Sequence, residues 1–379
     1  MIPILVHIVK PDESLFDVSR CYGVPVEKLC SDNFIEKPED LLANQALIVD
    51  IPDGEHQKMS SFIETFGYVY PTVKKDALER ALKDLTYLCI FSYGVNMDGT
   101  PDIIDDEPII EQALKANVAP VMVITNKYFS SYAAREILNN KDAQDRLINH
   151  VLFTLKTKNY RGLNIDFEYI FPQDRIAYNE FLEKVTALLY PMGLKVFSSL
   201  APKTSEENKI LYEAHDYQVH GKLSRRVCLM TYEWGYTYGP PMAVSPVDKV
   251  RKVLDYASTR IPAEKTVIGI PNYGYEWRLP WVEGTAATAV SYESAIRNAI
   301  ENKAEIRFDT CAQAPYFYRY GKDNKLYVTW FEDPRSIRAK LDLVEKYKIA
   351  GVSFWISGNR FCLIRTLISS MYNILKVLE

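Results

Sequence analysis

The chain has 379 residues and carries 45 basic against 49 acidic side chains. That near balance, with no long Lys/Arg run, excludes a phosphate-tracking surface and hence a nucleic-acid partner. At 47% hydrophobic the chain can build one large domain plus a small module, yet no apolar stretch reaches membrane-spanning length, so a membrane partner is not expected either. Aromatic residues are abundant (26 Tyr, 16 Phe, 5 Trp), which suits sugar rings and cores equally.

Residues 1–9 are apolar but lack a basic region and a cleavage site, so no signal peptide is recognisable. Residues 4–10 alternate as a strand, and Pro11-Asp12-Glu13-Ser14 is turn chemistry able to cap a helix over 15–22. Gly23 ends that helix; a second follows over 26–31, and 46–51 closes the unit as a strand before Pro52. This βααβ unit is expected to bury Leu15, Phe16, Val18, Leu29, Leu41 and Leu47. A polar linker, 53–58, separates it from residues 59–379.

Beyond the linker, strand-like runs fall at 65–70, 87–93, 119–125, 162–167, 195–200, 226–232, 266–271 and 350–355. Helical stretches fall at 75–85, 109–116, 143–157, 174–190, 246–258 and 334–347. Repeated β-then-α order with near-continuous apolar strands predicts an α/β fold, a (β/α)8 TIM barrel with its site at the strands' C-terminal ends. The long interval after the seventh strand predicts a small α+β insertion, about 279–335, rich in Tyr, Phe and Trp.

Six cysteines form no CxxC pair and have no histidines at ligand spacing, which gives no metal site; whether Cys21 and Cys30 pair is open. The five histidines form no catalytic cluster, and surface or helix-end positions are expected for them. No GxSxG, P-loop or dinucleotide fingerprint is present, and no cofactor is expected.

The segment Leu163-Asn164-Ile165-Asp166-Phe167-Glu168 alternates apolar with polar residues. Residues two apart share a strand face, about 6.5 Å from one to the next, so an amide and two acids line one side. An ionised carboxylate out of water costs several kcal/mol unless paired, and neighbouring acids raise at least one pKa. Such a pair fits general acid catalysis at a glycosidic oxygen. A metal site or a satisfied buried network is the competing reading of the same row.

This segment closely resembles the signature of glycoside hydrolase family 18, which ends the fourth barrel strand. The resemblance implies Glu168 as proton donor, Asp166 as the residue holding the substrate's acetamido group, and Asn164 tuning Asp166 by hydrogen bonding. Arg161 departs from the family's leading Asp, outside the inward row. The resemblance further implies that the substrate's own acetamido oxygen is the nucleophile, an exception to the two-carboxylate scheme. Met230-Thr231-Tyr232-Glu233 is similar to the family's Met-x-Tyr-Asp segment, with Tyr232 meeting the acetamido carbonyl and Glu233 replacing Asp. Ser353-Phe354-Trp355 ends the last strand, where the family places its tryptophan floor. Tyr93, Asn126, Tyr273, Tyr236 and Trp277, near strand ends, are further candidate sugar contacts.

The first 52 residues resemble the LysM module through Ser14-Leu15, Tyr22-Gly23-Val24, Asn33, Leu42, Gln45, Leu47 and Ile51-Pro52. Asp12-Glu13 stands where Gly-Asp is usual, and Asn44 replaces a Gly; Asn tolerates positive φ. That resemblance implies binding of N-acetylglucosamine-containing glycans. Met230 to Ala243, Pro271 to Trp277 and Ala312 to Phe317 resemble the spore-cortex fragment-lytic N-acetylglucosaminidases. The expected activity is retaining cleavage of β-1,4 bonds after N-acetylglucosamine in peptidoglycan, at the spore or cell wall. A chitinase and an inactive lectin on the same barrel are the alternatives.

Overall fold

A computed structural model describes residues 4–51, 62–207, 212–355 and 362–378; the expected linker 53–58 lies outside them. β1 (Ile4–Ile8) pairs antiparallel with β2 (Ala46–Asp50), and helices Leu15–Tyr22 and Val26–Asn33 pack between them in sequence. Ser14 and Asp17 form a reciprocal capping box at the first helix, and Gly23 closes it at φ 67°. Asp12 and Asn44, the two departures from glycine-bearing turns, adopt φ 62° and 64°. Asn33 ties the module together: its Oδ1 accepts from the Ile48 N–H and its Nδ2 donates to the Ile48 and Leu29 carbonyls.

Leu15, Val18, Leu29 and Leu47 are buried as expected, and Leu41 partly so. Phe16 is not: it is 61% exposed, because the helix turns its Leu15–Val18 face inward and Phe16 lies about 100° away. Ile48 belongs to the barrel's core cluster, and Glu36 pairs with Arg297 of the insertion, so the module is docked on the barrel domain. Cys21 and Cys30 are free thiols.

β3 (Phe62–Val69), β4 (Tyr87–Val95), β5 (Ala119–Asn126), β6 (Gly162–Asp166), β7 (Lys195–Leu200), β8 (Arg226–Leu229) and β9 (Thr266–Pro271) follow in parallel order. β10 (Gly274–Leu279), β11 (Thr288–Val290), β12 (Arg307–Asp309), β13 (Ala314–Tyr320) and β14 (Leu326–Trp330) form a separate antiparallel sheet. β15 (Gly351–Trp355) pairs with both β9 and β3 and closes an eight-stranded barrel; β16 (Asn373–Ile374) adds to the start of β3. The insertion sheet takes in β10, ahead of its expected start near 279, and carries helix Tyr292–Glu301. Helices Ser131–Asn139, Tyr217–Leu223 and Cys362–Met371 were not expected from the pattern.

Alternation divides the barrel into two layers. Leu163, Ile165 and Phe167 join the cluster between strands and helices, whereas Phe66, Tyr68, Cys89, Val121, Phe197 and Cys228 fill the interior. At the base of that interior Arg226 of β8 makes a bidentate pair with Glu64 of β3, at 2.6 and 2.8 Å.

Candidate active site

The inner row of β6 carries Asn164 and Asp166, and the chain brings Glu168 to the barrel mouth just past the strand's end. Asp166 is 4% exposed and Glu168 is half-buried; both line a cavity of about 230 Å³. Tyr232 and Glu233 after β8, and Trp355 at the end of β15, line the same cavity. Burial, then the charge of Glu168, holds the Asp166 carboxyl well above the usual range. Burial, then Glu233, pushes the Glu168 carboxyl up to about 7.

Asn164 does not tune Asp166 as expected. Its Nδ2 donates to Tyr68 Oη at 2.8 Å and Ser199 Oγ at 2.9 Å, which orients two hydroxyl groups of the barrel floor. Asn164 Oδ1 and Asp166 Oδ1 are buried without a hydrogen-bond partner among the described residues. An acceptor of that kind is costly unless a proton or ligand meets it.

Tyr232 sits in a turn fixed on both sides. Thr231 Oγ1 donates to the Gly269 carbonyl at 2.8 Å, and Ser245 Oγ donates to the Thr231 carbonyl at 2.6 Å. Gly269 has a packing reason within β9: a Cβ there would stand 2.5 Å from Tyr232 Cε1, so only glycine lets the phenol ring lie against the strand. Burial raises the Tyr232 hydroxyl, and the neighbouring Asp166 and Glu168 add to it. Glu233 stands at the rim at φ 64°, accepting from the hydroxyls of Tyr273 and Tyr275. Burial raises its carboxyl against those two bonds. The indole of Trp355 is held by edge contacts from Phe91, Tyr68 and Tyr70, with Phe91 at 4.7 Å.

The mouth is strained. Tyr128, Phe129, Tyr169 and Glu233, each just past a barrel strand, have φ between 51° and 64°. Non-glycine residues persist there only where the surroundings over-determine them.

None of the five further expected sugar contacts lines this cavity, and three of them are buried. Tyr93 is 3% exposed and donates to Asp106 within the strand–helix layer, beside Tyr160 and Lys158. The reason is a register shift between Ile90 and Tyr93 that places an extra residue in β4 and turns Tyr93 outward. Trp277 is 1% exposed in the insertion core, donating through Nε1 to the Gly239 carbonyl at 2.8 Å. Asn126 is 1% exposed and spends its amide on backbone groups. Tyr273 reaches the cavity through Glu233, and Tyr236, 43% exposed, stays outside the cavity lining.

Several lining residues escaped the sequence reading, among them Tyr68, Tyr70, Phe91, Phe129, Tyr169 and Tyr212. Tyr68 and Phe91 were findable, since they continue the inner rows of Phe66 and Cys89. Phe129 comes from a single 3-10 turn and Tyr212 from a loop, and neither carries a periodic signal. His7, His215 and His220 are buried rather than superficial, although His220 does lie in the last turn of its helix; His7 bridges Tyr22 and Glu13 within the first module.

A closed parallel barrel with two raised carboxyl groups and a tyrosine hydroxyl at one end, among aromatic rings, is an arrangement suited to a glycoside hydrolase. The profile of Glycosyl hydrolases family 18 matches residues 66–359, and the LysM domain profile matches residues 7–50. The chain belongs to glycosyl hydrolase family 18 and carries a LysM module at its N-terminal end. A cortical fragment-lytic enzyme of Bacillus subtilis is 40% identical over 325 residues, covering 84% of this chain and 75% of that protein. The crystal structure of the Bacillus cereus spore cortex-lytic enzyme SleL superposes with a TM-score of 0.92 at 30% identity, covering 99% of each chain. A chitinase from Chromobacterium violaceum shares the fold, with a TM-score of 0.75 at 21% identity over 81% of this chain and 98% of that one.

Proposed function

We propose that the chain hydrolyses β-1,4 bonds after N-acetylglucosamine in spore-cortex peptidoglycan, with retention and with the substrate's acetamido oxygen as nucleophile. The observation that carries this reading is the shared cavity of Asp166, Glu168 and Tyr232, in which both carboxyl groups lie above their ordinary range. Glu168 gives its proton to the leaving glycosidic oxygen and then takes one from water. Asp166, with its uncommitted Oδ1, receives the acetamido N–H and stabilises the charge that grows there as the oxazolinium ring closes. Tyr232 donates to the acetamido carbonyl and aims its oxygen at the anomeric carbon. Glu233, already accepting two hydroxyls, holds a sugar hydroxyl at the rim, and Trp355 offers its indole to the ring's C–H face.

The cortex substrate is supported by the names of the relatives above and by the LysM module, whose ligand class is a glycan such as peptidoglycan. Such a substrate is met at the spore, which is the site of action proposed for the chain. The test is mass spectrometry of products from purified cortex fragments, with wild type and Glu168→Gln in parallel. New reducing ends at N-acetylglucosamine, absent with the variant, are expected. Cleavage of chitin oligomers alone would move the substrate to chitin, and binding without cleavage of either would sink the enzyme reading.

A further inference from the structure

Pairing between β5 and β6 ends at Thr125 with Asp166, and pairing between β6 and β7 ends at Ile165 with Ser198. The reacting acid, Glu168, therefore lies beyond the last ladder hydrogen bond on both sides. The residue after it, Tyr169, holds φ 51°. Main chain in this condition needs other partners to keep one conformation.

Two side chains supply them. Asn126, next in register after Thr125, accepts from the Glu168 N–H at 2.9 Å. Its Nδ2 donates to the Glu168 carbonyl at 3.0 Å and to the Ser130 carbonyl at 3.0 Å. On the opposite side the His215 imidazole stands between the separated ends of β6 and β7. Its Nε2 meets the Phe167 carbonyl at 2.9 Å, and its Nδ1 meets the Ala201 N–H at 2.8 Å. A carbonyl only accepts and an amide N–H only donates, so the ring must be neutral with its proton on Nε2. His215 is fully buried; Tyr212 and Tyr178 flank the ring, and Lys203 Nζ donates to the His215 carbonyl.

We infer that Asn126 and His215 are positioning residues that replace the missing strand ladder and fix the Phe167–Glu168 peptide, so that the Glu168 carboxyl stands where the glycosidic oxygen arrives. The imidazole also acts as a spacer. Joining Phe167 to Ala201 through a ring, rather than directly, parts β6 from β7 where Ser199, Ala201 and Pro202 line the cavity. This assignment rests on Glu168 being the acid of the proposed reaction.

The two ring contacts separate by substitution. In His215→Asn the shorter amide keeps an acceptor for the Ala201 N–H and loses the Phe167 contact. In His215→Gln the longer amide puts an N–H at the Phe167 carbonyl. On soluble cortex fragments His215→Asn is expected to lose about 10²-fold in kcat with KM little changed, the scale of a misplacement of about 1 Å. His215→Gln recovers most of that loss. Asn126→Asp, which keeps the acceptor but turns a carboxylate on the Glu168 carbonyl, falls on the same side as His215→Asn.

Equal kcat for the Asn and Gln variants, or a loss carried by KM alone, overturns the inference. Because a buried substitution can impair folding, ¹⁵N-histidine NMR of the wild type gives a second reading. The histidine signals that vanish in His215→Gln are expected to report a single Nε2–H tautomer at neutral pH; an Nδ1–H or doubly protonated ring among them refutes the bracing geometry. A wild type inert on the fragments would sink the functional reading instead, and Glu168→Gln sets the floor against which the His215 variants are measured.

Discussion

Glu168→Gln keeps the side chain's outline and removes its transferable proton. General acid catalysis contributes about 10²–10⁴-fold, or about 3–5 kcal/mol in the barrier. The structure places this case in the upper part of that range. Asp166 lies one pleat deeper, and Glu233 is tied by two tyrosine hydroxyls at the rim, so neither can take over delivery of the proton. The assay compares kcat/KM on cortex fragments with that on an N-acetylglucosaminide bearing a phenolate that departs without protonation. The variant should lose about 10³–10⁴-fold on the first and far less on the second. The pH dependence follows from the same residue. The acid works protonated and its carboxyl sits at about 7, so wild-type activity on fragments is present below that pH. It falls about tenfold per pH unit above it. A loss under tenfold, or an equal loss on both substrates, would refute the role assigned to Glu168.

Glu233→Gln removes the negative neighbour that helps raise Glu168, so the alkaline limb of the pH–rate profile should move to lower pH, with KM rising as a sugar contact is altered; an unmoved limb would show that the two carboxyls do not interact. Tyr232→Phe should lower kcat by about 10²–10³-fold, the cost of losing one donor to a developing charge, and a change confined to KM would count against that role. Arg226→Met leaves the Glu64 carboxylate buried without its bidentate partner, at a cost of about 3–5 kcal/mol. A thermal scan should show a fall of about 5 °C, largely restored by adding Glu64→Gln; an additive double variant would show that the pair is not what stabilises the base of the barrel.

Patterns of period two and 3.6 in the sequence determined the barrel. A run such as β9 is apolar enough on both faces to be read without its neighbours, and the bounds of β7 and β9 agree with the pattern residue for residue. The alternation through Leu163, Asn164, Ile165 and Asp166 likewise assigned faces to the catalytic strand, because consecutive strand side chains must point to opposite sides. Asn44 was legible as a left-handed turn because few other residues tolerate that conformation.

What depends on distant segments meeting was decided only by the tertiary structure. A single extra residue in β4 reversed the facing of Tyr93, and a bulge of that kind leaves the local apolar pattern almost unchanged. Asn126 looked like a sugar contact at a strand end, but the peptide it binds is 42 residues away, at Glu168. His215 showed no motif, since its partners Phe167 and Ala201 are brought to it by two different strands and it recognises only their backbone atoms. Backbone partners leave no side-chain signature in the sequence. The face of each strand follows from local periodicity, whereas the groups that brace the reacting acid follow from which loops the closed barrel brings to its mouth.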